Sequence, residues 1–221
     1  MDPFSRSERR GRAAGYDRLL ADRLLDAAGA APGMRVLDLA CGPGALASRA
    51  TMRGCRPTGL DPAPDMVALA RSRQPAFDSA SPDAAPDQGP RADETGVGFA
   101  EVDAARAGLS RARGTFAVGR VEALPFRDGV FDVVAGNFLL RHPADPVPAV
   151  AEAARVLKPG GRLALSLRDL PDRALLEGAG FTGVTAGTYD FEGMAAAYPP
   201  GLATPVSAVI VSGVAGPAPR R

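Results

Sequence analysis

Residues 36–44 read VLDLACGPG and carry the clearest structural signal in the chain. A short apolar run contains an acid near its end, and a turn with two glycines then leads into a helical pattern. Without side chains at Gly42 and Gly44, the backbone of this turn can approach a ligand closely, and the first N–H groups of the next helix can donate to it. The stretch predicts a buried strand that ends at a ligand site.

This glycine turn does not match the common phosphate-binding sequences. The dinucleotide fingerprint requires G-x-G-x-x-G, whereas this chain continues Gly44-Ala45-Leu46-Ala47. The Lys-Ser/Thr pair of a P-loop is absent from the turn as well. A nicotinamide dinucleotide and ATP are therefore poor candidates for the ligand.

Outward from this turn, apolar runs alternate with helical patterns. The alternation indicates an α/β fold with a parallel sheet covered on both faces and with ligands at the carboxyl ends of the strands. The predicted strands cover residues 34–40, 57–60, 115–119, 130–138, 162–167, 181–188 and 207–214. The predicted helices cover residues 15–28, 45–53, 64–73, 147–157 and 172–179.

The pattern predicts a single domain over residues 15–214, between a flexible N-terminus (1–14) and a flexible tail (215–221). An insertion at residues 74–114 interrupts the alternation and is rich in Ala, Asp, Pro, Gly and Ser. Because it contains few large apolar side chains, its first part is predicted to be disordered. A weak helix is predicted over residues 99–112.

Composition excludes several classes of partner. The chain has 26 basic and 25 acidic residues among 221, so its near-neutral charge disfavours nucleic acid and anionic membranes. The sequence has no apolar run of membrane-spanning length and no signal peptide, which predicts a soluble cytoplasmic protein. Cys41, Cys55 and the single histidine, His142, lack the spacing of metal ligands, so no metal is expected.

Asp61 is a second candidate site residue. It follows the predicted strand 57–60, where an acid can accept hydrogen bonds from a ribose diol. An aspartate before Pro62 is also an ordinary turn residue, so both interpretations remain open.

Four blocks in order resemble the class I S-adenosylmethionine-dependent methyltransferases, in particular the small-molecule, ubiquinone/menaquinone-type group. The blocks are VLDLACGPG (36–44), GLDPAPDMVALAR (59–71), VEALPFRDGVFDVV (121–134) continued by FLLRHPADP (138–146), and AEAARVLKPGGRLALS (151–166). The resemblance implies a Rossmann-like seven-stranded sheet in the order 3-2-1-4-5-7-6, with the last strand antiparallel and helices on both faces.

The resemblance also implies S-adenosylmethionine as cofactor, S-adenosylhomocysteine as product, and a role for each matching residue. Asp61 would hold the ribose hydroxyls, and Met66 and Val121 would belong to the adenosine side of the site. The residues around the methionine part and the methyl group would be Asp38, Ala40, Gly42, Gly44, Asn137 and Phe138. His142 is the candidate general base because its ordinary pKa lies near working pH; a capping or packing role is the alternative.

Two departures from the family pattern concern the site. Arg120 stands where the family usually has an acid for the adenine amine, and a guanidinium has only donors, so either backbone groups recognise adenine or the pocket has changed. The next predicted helix follows Leu167 almost directly, so the lid over the acceptor is predicted to be missing. A second subunit, in a homodimer or a hetero-oligomer, would then cover the open site.

Methyl transfer to a small molecule, in secondary metabolism such as antibiotic biosynthesis, is the first functional hypothesis. The alternative is a methyltransferase-like subunit repurposed for a cyclisation or displacement, or as a non-catalytic partner. A nucleic-acid or protein methyltransferase is disfavoured, because the chain has no basic face and has Gly136-Asn137-Phe138-Leu139 where a base-flipping enzyme has Asn-Pro-Pro-Tyr.

Overall fold

The computed structural model describes residues 6–73, 114–137, 145–167, 173–190 and 207–216, with only the backbone described at residues 6–16, 190 and 207–209. Its strands are β1 (Arg35–Leu39), β2 (Arg56–Asp61), β3 (Thr115–Val118), β4 (Phe131–Asn137), β5 (Leu157–Leu167), β6 (Phe181–Asp190) and β7 (Ser207–Ala215). Its helices are α1 (Arg6–Ala27), α2 (Ala45–Met52), α3 (Pro64–Arg73), α4 (Val147–Val156) and α5 (Arg173–Gly178).

The strands form one seven-stranded sheet in the order β3-β2-β1-β4-β5-β7-β6. Neighbouring strands from β3 to β5 pair in parallel, whereas β7 pairs antiparallel with both β5 and β6. Both the strand order and the reversed last strand agree with the sequence-based prediction, which is therefore confirmed.

The central strands are apolar on both sides because helices cover both faces of the sheet. Along β1, Val36 packs with the buried leucines of α1, while Leu37 and Leu39 pack on the opposite face with α4. A smaller apolar cluster joins α2, α3 and β3 around Phe116. This packing fixes the strand ends that carry the candidate site.

Two element boundaries differ from the predicted ones by more than two residues. Helix α1 begins at Arg6 rather than at residue 15, because the charged and alanine-rich residues before Gly15 continue the helix without an apolar stripe. Strand β5 begins at Leu157 rather than at residue 162, since Phe131 pairs with Leu157 before the register shifts and Val133 pairs with Arg162. The residues around Gly160 and Gly161, predicted to form a turn before the strand, instead form an irregular part of β5 itself.

The connection between β5 and α5 consists of residues 168–172 alone, as the short spacing predicted. Residues 74–113, which contain nearly all of the predicted insertion and its weak helix, lie outside the described residues. Within the described ranges, no helix is both long enough and apolar enough to cross a membrane.

Candidate functional site

A cleft of about 130 Å³ lies at the carboxyl ends of β1 and β4. It lies at the centre of the sheet because β2 is on one side of β1 and β4 is on the other, a switch point where open α/β sheets bind ligands. Asp17, Asp38, Ala40, Gly42, Leu46 and Asn137 are among the residues that line it.

The turn after β1 has an unusual backbone. Ala40, Gly42 and Gly44 all have positive φ angles, of 53°, 50° and 82°. The N–H of Cys41 donates to the carbonyl of Leu60 at 3.0 Å, which holds the turn against β2. A Cβ atom at Gly42 would meet nothing within 4 Å, so the missing side chain leaves open space beside the turn. The turn can therefore accept a ligand close to its backbone.

Asp38, near the end of β1, is almost fully buried and lines the cleft. Its Oδ2 accepts a hydrogen bond of 3.1 Å from the N–H of Ala47 in α2. Burial raises the pKa of Asp38 to about 8, an effect that the Ala47 hydrogen bond opposes and the Asp61 charge reinforces. A cation in the cleft would favour the ionised form of this carboxyl group.

Asp61, the last residue of β2, joins two turns. Its Oδ2 accepts from the N–H of Gly42 at 2.9 Å, and its Oδ1 accepts from the N–H of Ala63 at 2.9 Å. An ionised carboxylate offers about four acceptor positions, so it can also accept from the hydroxyls of a ligand. The direct bond between Asp61 and Gly42 was not predicted from the sequence, although both residues were.

Asn137, the last residue of β4, lines the cleft from the other side. Its Oδ1 accepts a hydrogen bond of 2.6 Å from the hydroxyl of Ser166, which is fully buried in β5. Because the amide oxygen is engaged, the NH₂ group is the end of Asn137 that can donate to a ligand.

Helix α1 adds a residue that sequence reasoning missed. Asp17 lines the cleft one turn before Ala21, and burial raises the pKa of its carboxyl group. The signal was present in the sequence: Asp17 shares a helical face with Leu20 and Leu24, both fully buried, so it is an acid on an apolar stripe.

The two candidates for the adenosine side, Met66 and Val121, belong to segments that adjoin Asp61. Met66 is partly exposed near the start of α3, and Val121 is buried in the segment after β3. The N–H of Gly119 donates to the carbonyl of Asp61 at 3.1 Å, which attaches that segment to β2. Arg120 is 74% exposed and pairs with Glu122 at 3.1 Å, so its guanidinium is directed to the surface.

Two side chains of α4 anchor residues 119–130, which we call the β3–β4 segment. Arg155 donates through Nη1 to the carbonyl of Phe126 at 2.7 Å and through Nη2 to the carbonyl of Leu124 at 2.9 Å. Glu152 accepts from the N–H of Leu124 at 2.6 Å and also pairs with Arg155. The position of Val121 therefore depends on α4.

The structure thus brings Asp38, Ala40, Gly42 and Asn137 to one cleft and places Asp61 in contact with its turn. Gly44 is the left-handed residue at which α2 begins. Phe138 and His142 lie outside the described residues, so their assigned roles remain predictions.

Comparison with known proteins agrees with this architecture. Two family models, each described as a methyltransferase domain, match residues 36–84 and 83–165. The fold resembles the [4+2]-cyclase SpnF, with a TM-score of 0.58 and 20% identity over 91% of this chain and 82% of that one. It also resembles a structure titled as a complex of the Haloferax volcanii Trm112 methyltransferase activator with a methyltransferase, with a TM-score of 0.57 and 22% identity over 95% and 97% of the two chains.

A demethylmenaquinone methyltransferase from Beutenbergia cavernae is 32% identical to the chain over 163 residues, which is 74% of this chain and 52% of that protein. These matches define a Rossmann-like methyltransferase domain, and the chain belongs to the class I S-adenosylmethionine-dependent methyltransferases. The aligned region spans 33%, 52% and 45% of the length of three curated relatives.

Proposed function

We propose that this chain transfers the methyl group of S-adenosylmethionine to a small molecule of secondary metabolism. The observation that carries the proposal is the pair Asp38 and Asp61 on either side of an open glycine turn, at the switch point of the sheet. When bound, S-adenosylmethionine supplies an activated methyl group on a positively charged sulfonium.

The residues present fit this cofactor. The empty space beside Gly42 admits a ligand, and the carboxylates of Asp38 and Asp17 suit its positive charges. The NH₂ group of Asn137 suits a carboxylate, and Asp61 suits a ribose diol. The cleft is smaller than the 300–1,000 Å³ or so of common ligand pockets, so it would take the methionine part while the adenosine lies along Met66 and Val121.

The contribution of the chain to this reaction is position and environment. An in-line displacement needs little covalent help, so the chain orients the methyl group and excludes water. Asp38 and Asn137 hold the two ends of the amino-acid part, and Asp61 fixes the sugar. For an acceptor with a hydroxyl or an acidic carbon, His142 remains our candidate for the base that takes its proton.

We further propose that a second subunit closes the mouth of the site. Its support is the connection over residues 168–172, which leaves no chain for a lid between β5 and α5. The fold neighbour solved with the Trm112 activator offers a precedent for a methyltransferase that works with a partner.

Methyl transfer is tested by following the formation of S-adenosylhomocysteine from S-adenosylmethionine with panels of hydroxyl, carboxylate and amine acceptors. We expect one class to produce it with the wild-type chain, alone or with a copurifying partner. Asp61→Ala should weaken cofactor binding by about 1–3 kcal/mol, because hydrogen bonds to the ribose are lost. Unchanged affinity in Asp61→Ala would remove Asp61 from the site.

The short connection after β5 also favours the second candidate function, a methyltransferase-like subunit that catalyses a cyclisation or displacement, or that serves as a non-catalytic partner. The neighbour named as a [4+2]-cyclase has the same fold. Cofactor that binds but never yields S-adenosylhomocysteine with any acceptor or partner would select this function over methyl transfer.

A further inference from the structure

The cleft has a one-sided charge. Asp17 and Asp38 are the charged residues among the described residues that line it, and no lysine, arginine or histidine joins them there. Burial raises the pKa of both carboxyl groups, which is the behaviour expected of acids without a compensating cation. The cleft is therefore electrostatically complementary to a positively charged ligand.

Asp17 differs from the other two acids near the turn. Asp38 is bonded to the N–H of Ala47, and both oxygens of Asp61 are bonded to backbone N–H groups. Among the described residues, by contrast, Asp17 has no hydrogen-bond or ion-pair partner. Among these three acids of the described residues, Asp17 is the one whose carboxylate oxygens are not engaged by the protein.

Helix α1 is held in place over the cleft. Asp22, just over one turn after Asp17, pairs with Arg49 of α2 at 2.8 Å and with Arg53 at 3.0 Å. Asp26 pairs with Arg53 at 2.7 Å. The two pairs of Asp22 fix the helix against α2, whereas the exposed pair of Asp26 contributes little. Asp17 is therefore presented from a rigid element rather than from a loop.

The cofactor and its product differ by one charge, at the sulfur atom. S-adenosylmethionine carries a sulfonium, an ammonium and a carboxylate, whereas S-adenosylhomocysteine has a neutral thioether in place of the sulfonium. The two molecules share every other group. A nearby carboxylate therefore attracts the cofactor more strongly than the product, by an amount that depends on local screening.

We infer that Asp17 is a specificity-determining residue that makes the cleft prefer the sulfonium cofactor over the thioether product. This inference rests on the proposed function. Release of the neutral product and its replacement by fresh cofactor would then be favoured by the charge of the cleft, which limits product inhibition.

The test is a calorimetric measurement of the dissociation constants of S-adenosylmethionine and S-adenosylhomocysteine for the full chain. The variants are Asp17→Asn, which removes the charge at nearly constant volume, and Asp26→Asn as the matched control. Asp26 is on the same helix, but its carboxylate pairs with Arg53 on the exposed side. Circular dichroism confirms that each variant keeps its helix content.

We expect Asp17→Asn to weaken S-adenosylmethionine roughly 3- to 10-fold while S-adenosylhomocysteine changes little, so that the preference for the cofactor shrinks by that factor. Asp26→Asn should keep the wild-type preference, and Asp17→Glu should restore most of it. Sinefungin, which carries an amine near the position of the sulfonium methyl, should follow S-adenosylmethionine and not the product.

Equal weakening of both ligands by Asp17→Asn, or no change in either, would overturn the inference while leaving the proposed function intact. Failure of the folded wild-type chain to bind either ligand would contradict the proposed function itself, and the inference with it.

Discussion

The buried carboxyl group of Asp38 lowers the stability of the folded chain at neutral pH, and it also serves as a candidate ligand group in the cleft. Its carboxyl group is almost fully buried, and its pKa rises from 3.8 to about 8. Between these values the folded chain holds a proton that the unfolded chain has lost, so stability falls as pH rises through this window. A cationic ligand in the cleft offsets that penalty.

We predict that Asp38→Asn flattens the pH dependence of stability. The wild-type free energy of unfolding should carry a decline of up to about 1.4 kcal/mol per pH unit between pH 5 and 7 from this one group, and the variant should lack it. Asp22 does not obscure the comparison. Burial alone would raise its pKa, but hydrogen bonds from Arg49 and Arg53 lower the pKa overall, so Asp22 changes the free energy of unfolding only below about pH 4. Urea unfolding at three pH values checks this, and parallel profiles would disprove it.

Gly42 allows a matched test of the open space beside the turn. Gly42 and Gly33 both have positive φ, and a Cβ atom at either would meet nothing within 4 Å. Alanine should therefore cost each position a similar backbone strain, about 1 kcal/mol. Gly42 lines the cleft, whereas Gly33 is not among the residues that line it.

We expect Gly42→Ala to weaken S-adenosylmethionine about tenfold or more, because the methyl group overlaps the ligand. Gly33→Ala should bind like the wild-type chain. Calorimetric titration of both variants decides the matter, and equal affinities would show that the ligand does not pass beside Gly42.

Helix α4 determines where the β3–β4 segment lies. Arg155 donates hydrogen bonds to two carbonyl groups of that segment and pairs with Asp128 at 2.8 Å. One side chain therefore supplies hydrogen bonds that neighbouring backbone groups supply in a regular sheet. The hydrogen bonds with Glu152 and Asp128 raise the pKa of Arg155 well above its ordinary value, despite partial burial. The helix and the segment should therefore loosen together.

We predict that Arg155→Ala destabilises the chain by about 1–3 kcal/mol, since it leaves two carbonyl groups of the segment without a donor and removes the ion pair with Glu152. Arg120→Ala in the same segment removes an exposed pair and should cost less than about 0.5 kcal/mol. Denaturant unfolding of the two variants tests the difference, and a comparable loss in both would show that Arg155 does not anchor the segment.

Much of this element order was predictable because buried parallel strands are short apolar runs bounded by turns, as in residues 36–44. The start of α1 was not, since residues 6–14 have helix-forming side chains but no apolar periodicity. Asp17 was missed because an acid in an amphipathic helix is usually solvated, although its place on the same helical face as Leu20 and Leu24 was a usable signal. The Asp61–Gly42 bond likewise depends on the pairing of β1 with β2.

In the whole molecule, one sheet gathers the candidate cofactor residues at a single edge. The strand order places β1, β2 and β4 together, so that Asp38, Asp61 and Asn137 converge from three strands. The chain belongs to a family of S-adenosylmethionine-dependent enzymes, which agrees with a cofactor site at that edge. Because the connection over residues 168–172 is short, we propose that another component covers the acceptor side.

Calorimetric titration of the purified chain with S-adenosylmethionine is the decisive experiment, because this edge of the sheet is where we expect the cofactor to bind. We expect saturable binding of one molecule per chain with micromolar affinity, reduced by Gly42→Ala and retained by Gly33→Ala. A folded chain that gives no binding heat, and no displacement of a labelled cofactor at millimolar concentration, would contradict it.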